Sequence, residues 1–580
     1  MKKTFLLCTI AVFLMAFVNR YMIQGKTANA RFNAEQFKRK YSVSCAARIS
    51  AEELDDPANS IPLLEGWGNY VMPVTAVNDS ARIYFEQGIN MYYGFHIIES
   101  LASFDKAVKF DSGFAMGYWG KALAYGPNIN DYGYAASSDA LVASGKAKLL
   151  ANNCTPVEKA LINAMQIRYS ADSMQSREKL NKEYADAMKA VYENFPESND
   201  AAVLYADALM LLHPWDLYDL AGDPKKWTPA IVDVLEKIIK KNPAHPGASH
   251  YYIHAVEASK HPEKALNVAG KLPELMPGVS HIVHMPAHIY IRTGNYSKGA
   301  ELNMKAVEGY KNYLSVYPAV VNNAPLYLVH NLHMEATCAN MDGRFAYAAK
   351  VSEDCKNSFD SSWLSMPDFP GIFVQYVYMM PYFTQIRFGK WDDILQAPEL
   401  PSAYVYANLI WHYGRGLAFA RKHDFEKAQA ELAALWQFLT NNQLKAPAPT
   451  YSNPGINGSK VAEKILMGVI AEEQQNYDKA VTFLTEAVSG EDAMIYDEPK
   501  DWPHPARQYL GNVLLKAGKF SDAERVFKKD LELNPNNGWS LTGLKDALAK
   551  QGKTKDAAAV SEALSKAFVN SDTKISSAVF

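Results

Sequence analysis

The chain has 580 residues, 48% of them hydrophobic, which is enough apolar sequence to bury a large core and excludes an intrinsically disordered protein. Its 59 basic and 62 acidic residues leave a formal net charge of −3 at pH 7, and the basic residues are scattered rather than gathered into a stripe. This charge distribution does not support a nucleic-acid-binding surface, so no nucleic-acid partner is expected.

The N-terminus has the pattern of an export signal. Lys2 and Lys3 precede an apolar run over residues 5–18, which is long enough for a signal-peptide core and short for a bilayer span. Small residues at 28–30 form a plausible cleavage pattern; an uncleaved membrane anchor is the alternative. Residues 1–30 are therefore predicted to be a signal peptide or anchor, residues 31–60 a linker or cap, and the protein to be exported to the periplasm or cell envelope. Only this first segment would contact a membrane.

Internal repeats follow the leader. The segment from residue 82 places Tyr84, Gly88, Phe104 and Ala107 where the tetratricopeptide repeat (TPR) pattern has a bulky residue, a small one, an aromatic and an alanine. Similar copies begin near residues 411, 466 and 506. Each repeat is a pair of antiparallel helices that must stack on its neighbours to bury its apolar face. The sequence predicts an all-α, TPR-like solenoid of antiparallel helix hairpins with long inter-repeat insertions.

Glycines and segments rich in helix-breaking residues between the repeats predict turns and loops. Gly294, Gly343 and Gly518 stand where the first helix of a hairpin ends, and glycine there supplies left-handed backbone. Segments rich in Pro, Gly and Asn predict long insertions, which are candidate functional loops; they lie at 126–139, 212–229, 445–459 and 489–507. The repeats are predicted to divide into an N-terminal and central group (61–400), which carries the histidine clusters, and a C-terminal group (401–570), followed by a loose tail (571–580).

Four cysteines remain after the leader, at positions 45, 154, 338 and 355, and none forms a CxxC pair. No zinc-ribbon pattern exists. In an oxidising compartment Cys338 and Cys355 are the most plausible disulfide, because both fall in one predicted hairpin. Buried free thiols are the equally weighted alternative.

Histidines are crowded into the middle of the chain. Eight of the fourteen fall between residues 250 and 333, and seven of them form three clusters. His250 and His254 are one helical turn apart, with Glu257 three residues later on the same face; His281, His284 and His288 follow at spacings of three and four; His330 and His333 follow at a spacing of three. Histidine is the commonest protein ligand of first-row metals.

Pro286 leaves two alternatives for the second cluster. Either a helix begins near Met285, with His284 at its mouth and His281 in the connection before it, or one helix runs through and is kinked. Aligning the turn glycines places His281 opposite His330 and His284 opposite His333 in the repeat, and corresponding positions of stacked repeats lie side by side. The first cluster is about one position out of step, which makes its membership less secure.

The clusters therefore predict a transition-metal site whose ligands are drawn from one set: His250, His254, Glu257, His281, His284, His288, His330 and His333. Glu257, Asp216 and Glu335 are the candidate carboxylates to ligate the ion or orient imidazoles. Two histidines with one carboxylate would suit iron, and an all-histidine set copper or zinc. Motifs for nucleotide binding, serine hydrolysis and zincin chemistry (GxGxxG, P-loop, GxSxG, HExxH) do not occur, so no nucleotide cofactor is expected.

Four strings are more specific than the repeat consensus: YWGKALAYGPNIN, HPGASHYYIHAVEAS, HMPAHIYIRTGNY and LELNPNNGWSL. They resemble an exported bacterial family of TPR proteins with HPGxxHxxIHxxE and HxxHMPxHI motifs, over most of the chain after residue 60. The resemblance implies fold and export and names no reaction or substrate. Ala287 stands where that family usually has serine, so one orienting hydroxyl is absent here.

Two functions are compatible with these features. One is a metal-binding site in the central repeats; the sequence assigns no nucleophile or general acid, so whether it is an enzyme stays open. The other is an interaction scaffold that holds a peptide or protein partner in the groove of the solenoid, with structural histidines. Histidine triplets favour the first, since a repeat scaffold does not need them.

Overall fold

The computed structural model describes residues 61–130, 138–172, 174–316, 324–449 and 452–580. The predicted leader (1–30) and linker or cap (31–60) lie outside these residues. Contacts divide the chain into two compact units: unit 1 runs to Pro286 and includes Lys305–Tyr327, and unit 2 comprises Ala287–Met304 and Leu328–Phe580. The predicted boundary between repeat groups at residue 400 stays a prediction.

The regular secondary structure of the described residues is helical. The helices up to Pro286 are α1 Asp79–Tyr93, α2 Ile97–Phe110, α3 Ala115–Ala124, α4 Ser138–Leu150, α5 Pro156–Arg168, α6 Arg177–Asn194, α7 Asn199–Leu212, α8 Thr228–Lys241, α9 Pro246–Val256, α10 Leu266–Leu275 and α11 Ser280–His284. Those that follow are α12 Pro286–Arg292, α13 Tyr296–Val316, α14 Ala324–Met341, α15 Phe345–Lys356, α16 Asp368–Tyr378, α17 Met380–Arg387, α18 Trp391–Gln396, α19 Val405–Arg421, α20 Phe425–Leu439, α21 Gly455–Glu473, α22 Tyr477–Asp492, α23 Ala506–Lys516, α24 Phe520–Leu533, α25 Gly538–Lys550 and α26 Thr554–Ala567. Short 3₁₀ helices lie at Ala151–Asn153, Pro262–Ala265, Ser361–Ser365 and Asn442–Lys445.

Each unit is built of TPR-like hairpins, as the repeat pattern predicts. In unit 1, α1 packs on α2 and α2 on α3, and the same stepwise packing joins α5 through α9. In unit 2 it joins α21 through α26, beside the hairpin of α19 and α20. In the described part of the chain, extended pairing is limited to one antiparallel bridge between Tyr218 and Pro224. The predicted all-α fold class is confirmed.

Small residues sit where helices approach closely. A Cβ added at Gly88 or Gly120 would lie 2.7 or 2.5 Å from the ring of Phe104, and one added at Gly511 would lie 2.5 Å from Phe527. The aromatic side chains therefore fill spaces that only glycine leaves open, as the repeat pattern predicts for Gly88 and Phe104, and Gly511 and Phe527 repeat the arrangement in the copy that begins near residue 506. The close packing also explains why the pattern recurs, because each hairpin must seat the same aromatic.

The predicted turn glycines have left-handed backbone, with φ of +74° at Gly294, +75° at Gly343 and +72° at Gly518. Other helix ends are fixed by side chains. Thr155 accepts a hydrogen bond from the Glu158 amide, while the Glu158 carboxylate accepts from the Thr155 amide, which is a capping box at the start of α5. These local signals set helix boundaries before any tertiary packing.

The structure decides between the two alternatives for the cysteines and corrects the prediction for the last ten residues. Cys154, Cys338 and Cys355 are buried free thiols, so the disulfide alternative for Cys338 and Cys355 is not adopted; Cys45 lies outside the described residues. Residues 571–580 do not form a loose tail, because the Asp572 carboxylate accepts from the Phe345 and Ala346 amides at 2.6 and 2.8 Å and apolar residues near the terminus are buried in unit 2. In the described ranges, no helix is long and apolar enough to cross a bilayer.

Candidate metal centre

Helix α9 presents the first two imidazoles. Its start is defined by Pro246 at the first helical position and by His245, whose Nδ1 accepts from the Ala248 amide at 3.3 Å. From that start, His250 and His254 fall one turn apart on the face that meets α1. Both are buried. The first cluster, which the repeat alignment left least secure, thus points inward as a pair.

Helix α11 presents the third imidazole. It holds five residues, closed by a hydrogen bond from the Met285 amide to the His281 carbonyl at 3.0 Å. The next helix begins at Pro286, whose ring nitrogen carries no hydrogen to continue the first one. His281 therefore lies on a short helix of its own, rather than in the connection expected if a helix began near Met285.

The three imidazoles converge in unit 1. The Nε2 atoms of His250 and His254 are 3.1 Å apart, and Nε2 of His281 is 3.1 Å from that of His250. All three ligand atoms lie within 4.8 Å of one another. Nitrogen ligands at 2.0–2.1 Å from one ion are separated by about 3.3 Å in a tetrahedral site and about 2.9 Å in an octahedral one. The two separations of 3.1 Å lie between these values.

Hydrogen bonds at the far side of two rings fix which nitrogen carries the proton. Nδ1 of His250 lies 2.6 Å from the carbonyl oxygen of Tyr93, which only accepts, so this nitrogen is the donor. Nδ1 of His254 lies 2.9 Å from a carboxylate oxygen of Glu257 and is likewise the donor. A neutral imidazole protonated at Nδ1 has a lone pair at Nε2. With both rings in this neutral form, the contact between Nε2 of His250 and Nε2 of His254 joins two lone pairs, an arrangement that a bound cation would stabilise.

His281 is disfavoured as a site for an extra proton. Burial, together with His250, His284 and His254, lowers the pKa of His281 well below its ordinary value. A charged imidazolium is thus disfavoured, and His281 is a neutral ring with one lone pair to offer. A proton on its Nε2 could serve the contact with His250 alone and would leave the contact between His250 and His254 unchanged.

Phe95 packs against all three rings. Its centroid lies 4.5 Å from that of His250 and 5.9 Å from those of His254 and His281. The residue is 1% exposed and has φ of +58°, a left-handed conformation that is costly for a bulky side chain. Sequence reasoning missed Phe95, although its place in the turn directly after Tyr93 and Gly94 carried a weak signal. Its strained backbone places the ring where it holds the imidazoles in position.

Two of the predicted insertions lie beside the centre. Trp215, from the 212–229 insertion, meets the ring of His254 edge-on at 5.2 Å between centroids. Its indole Nε1 donates to the Ile129 carbonyl, from the 126–139 insertion, at 2.9 Å. Arg168 donates in turn to the Pro127 carbonyl at 2.6 Å and fixes that loop. Trp215, anchored on Ile129, thus covers one side of His254.

The three candidate carboxylates have different partners in the structure. Glu257 is 1% exposed and bonded to Nδ1 of His254, so it orients that imidazole. Asp216 is half exposed and pairs with Lys225. Glu335, in unit 2, accepts a hydrogen bond from Tyr347, and burial raises its pKa to about 7. Of the three, Glu257 alone is bonded to one of the converging imidazoles.

The remaining candidate ligands are His284, in unit 1, and His288, His330 and His333, in unit 2. His284 is fully buried in unit 1, with its ring 5.9 Å from that of His281. In unit 2, the rings of His288 and His330 are 5.6 Å apart, and Nδ1 of His288 pairs with Glu498. Glu498 was not singled out from the sequence, although the acidic 489–507 insertion that contains it was. These two imidazoles form a second pair, and their role as ligands stays a prediction.

His333 contacts a tyrosine rather than another imidazole. Its Nε2 lies 3.0 Å from the Tyr376 hydroxyl, and burial lowers its pKa to about 3. The repeat alignment, which paired His333 with His284, therefore did not predict this contact with a tyrosine.

No protein-family model and no curated protein matches this chain. Among solved structures it is similar to the human IFIT1 dimer with m7Gppp-AAAA, at 13% identity over 86% of this chain and 92% of that one, with a TM-score of 0.30. It is also similar to yeast Tom70, at 11% identity over 83% and 90% (TM-score 0.25), and to the TPR domain of P58(IPK), at 12% over 82% and 99% (TM-score 0.21). Likeness at this level supports no inference about ligands.

Proposed function

We propose that the protein binds a transition-metal ion through Nε2 of His250, His254 and His281. The observation that carries the proposal is the contact of 3.1 Å between Nε2 of His250 and Nε2 of His254. Each of these rings donates a hydrogen bond through its other nitrogen, Nδ1, to the Tyr93 carbonyl or to Glu257. Neutral imidazoles with outer hydrogen-bond acceptors are the usual state of metal-ligating histidines. Nδ1 of His250 and Nδ1 of His254 both face away from the cluster, so the Nε2 atoms of these rings are directed toward each other and toward Nε2 of His281.

The types of ligand narrow the choice of metal ion. The sequence allowed copper, zinc or iron, with iron favoured by two histidines and one carboxylate. Glu257 bonds to Nδ1 of His254, so it supports a ligand, and the set is all-imidazole. Such a set suits copper or zinc best and still accommodates iron. Three protein ligands leave a further position for water or a substrate, which is the arrangement of catalytic rather than structural sites.

The test is elemental analysis of untagged protein, purified from an exporting host and incubated with each metal. We expect one ion per chain in the wild type and its loss in a His254→Ala, His281→Ala double variant with unchanged helical circular dichroism. His261→Ala is the matched control, because His261 lies between the same two clusters but is exposed and paired with Glu263. A wild type that holds no copper, zinc, iron or manganese would remove the proposal.

A second ion is proposed for the pair His288 and His330 in unit 2. Glu498 pairs with Nδ1 of His288 just as Glu257 does with His254, which directs Nε2 of His288 away from the carboxylate. A stoichiometry of two ions, reduced to one by His288→Ala with His330→Ala, is the expected result. A stoichiometry of one that these substitutions leave unchanged would show that this pair is structural.

Location and family are part of the same proposal. The lysines and apolar run at residues 2–18 support export, and the four strings quoted above support membership of an exported bacterial TPR family. N-terminal sequencing of protein from fractionated cells tests both cleavage and compartment. A mature N-terminus near residue 31 in the periplasmic fraction is expected.

The alternative is a scaffold that binds a peptide or protein partner. It is favoured by the TPR-like hairpins themselves, since stacked repeats offer an extended surface. A partner is also compatible with a bound metal. The scaffold becomes the primary function if the protein takes up no metal, and a partner that co-purifies with both the wild type and the histidine variants would then identify it.

A further inference from the structure

One buried carboxylate in unit 1 serves two tyrosines. Oδ1 of Asp200 accepts from the Tyr93 hydroxyl at 2.8 Å, and Oδ2 accepts from the Tyr70 hydroxyl at 2.9 Å. Asp200 is 3% exposed, Tyr93 is fully buried and Tyr70 is partly exposed. His245 lies against the same group, with Nε2 3.6 Å from Oδ1 and its ring 4.3 Å from that of Tyr70. Asp200 thus links an interior phenol to one that reaches the surface.

Tyr93 is joined to the proposed metal centre in two ways. Its carbonyl accepts from Nδ1 of His250 at 2.6 Å, so a proposed ligand is hydrogen-bonded to this residue. Its ring also continues an aromatic series, in which neighbouring centroids are 5.5 Å apart from His250 to Tyr251, 6.3 Å from Tyr251 to Tyr93, and 6.1 Å from Tyr93 to Tyr70. The series runs without a break from the centre to a partly exposed phenol.

Oxidation of a buried phenol requires that its proton leave as its electron does, since a charged phenol cation is costly in an apolar interior. A carboxylate already hydrogen-bonded to the hydroxyl is the natural acceptor. Asp200 offers a separate oxygen to each tyrosine, so a proton received from one hydroxyl can be matched by a proton returned to the other. Tyr252 lacks such a link, because its hydroxyl bonds to Glu236 alone.

We propose that Tyr70, Asp200 and Tyr93 form a proton-coupled electron relay that carries electrons from small phenol-type donors at the surface to the metal centre, where hydrogen peroxide is reduced. The relay rests on the proposed metal site and restricts it to a redox-active ion, copper or iron. The activity is peroxide-dependent one-electron oxidation of the donor.

The steps balance. Reduction of one peroxide to two waters takes two electrons and two protons; solvent would supply the protons, a redox-active ion held by the three imidazoles would supply one electron, and Tyr93 gives the other. The phenolic proton of Tyr93 passes to Oδ1 of Asp200. The Tyr93 radical then takes an electron from Tyr70 and its proton back from Oδ1, while the Tyr70 proton passes to Oδ2. A donor reduces the Tyr70 radical, which recovers that proton, and the donor releases its own to solvent. A second donor returns the ion to its starting state by the same route.

The experiment is freeze-quench electron paramagnetic resonance of copper- or iron-loaded protein mixed with hydrogen peroxide, after elemental analysis has established loading. We expect a tyrosyl radical in the wild type, its loss in Tyr93→Phe, and its confinement to Tyr93 in Tyr70→Phe. Tyr252→Phe is the matched control, since Tyr252 is also buried, on α9 and bonded to a carboxylate; it should leave the signal unchanged. Zinc-loaded protein, which binds without redox chemistry, should give no radical.

A loaded wild type that yields no radical, or a radical that survives Tyr93→Phe, overturns the relay and leaves metal binding intact. Photo-oxidation of the metal-free protein with a ruthenium polypyridyl complex and persulfate separates the two proposals. The relay predicts a radical on Tyr70 that Asp200→Asn abolishes in protein of unchanged helicity, even if metal binding fails. A radical that is indifferent to Asp200→Asn would show that the shared carboxylate takes no part in proton transfer.

Discussion

Replacement of Glu257 by glutamine should weaken metal binding without removing a ligand. The amide oxygen of glutamine can still accept from Nδ1 of His254, so the ring keeps its orientation and tautomer and loses only the negative charge behind it. A hydrogen bond to a charged acceptor contributes about 1.5–3 kcal/mol and a neutral one about 1 kcal/mol. The loss of about 1–2 kcal/mol corresponds to a roughly tenfold higher Kd, at the lower end of the effect of altering groups that orient metal ligands.

Competition with a chromophoric chelator measures this change. Glu263→Gln is the matched control, because Glu263 accepts from Nδ1 of the exposed His261 at 3.1 Å and thus forms the same pair away from the cluster. An unchanged Kd in Glu257→Gln would refute the argument that Glu257 supports a ligand. An equal loss in the control would attribute the effect to overall charge instead.

Three further predictions concern stability, each measured by chemical denaturation. Phe95→Ala should lower the free energy of unfolding by about 3–5 kcal/mol, since it removes a fully buried ring, and full stability in this variant would contradict its packing role. The pKa of Glu335 is raised to about 7 in the folded protein, so the folded state binds the extra proton and stability should fall as pH rises from about 4.5 to about 7; Glu335→Gln should flatten that slope, and an unchanged slope would assign it to another group. Gly518→Ala should cost about 1–2 kcal/mol for its left-handed backbone alone, whereas Gly294→Ala should cost more, because its Cβ would also lie 2.2 Å from the Pro535 carbonyl oxygen; equal losses would contradict the packing argument.

The fold was predictable because its signals are local and repeated. A glycine in a turn has the same backbone requirement wherever it stands, and Gly294, Gly343 and Gly518 all adopt it. Likewise, an aromatic that seats against glycine in one hairpin predicts the next, as Phe104 and Phe527 do. The last ten residues were harder to place, because they follow the final repeat and their packing depends on a surface that the repeats create, which no periodicity in the tail itself records.

The site was predictable in part. Helical spacing put His250 and His254 on one face with Glu257, because all three depend on one helix. His281 was assigned to a different partner by the repeat alignment, which assumes that neighbouring hairpins stack in register. In the structure, Nε2 of His281, on the short helix before Pro286, lies 3.1 Å from Nε2 of His250 on α9. The contribution of Phe95 depends on tertiary contacts with three histidines far away in sequence, which residue types alone do not reveal.

The unfavourable features of this cluster are those that a bound ligand would offset. A structural histidine is normally satisfied by one donor and one acceptor, and His250 and His254 meet that need at Nδ1, yet their other nitrogens face each other at 3.1 Å. The left-handed conformation of Phe95 adds strain that costs on the order of 1–3 kcal/mol. Leucine or phenylalanine would fill the same volume without placing two ring nitrogens face to face in the core. A bound ion would make the contact between the nitrogens favourable, since it would attract the lone pair of each. The geometry that is unfavourable for packing is therefore the geometry that coordination requires.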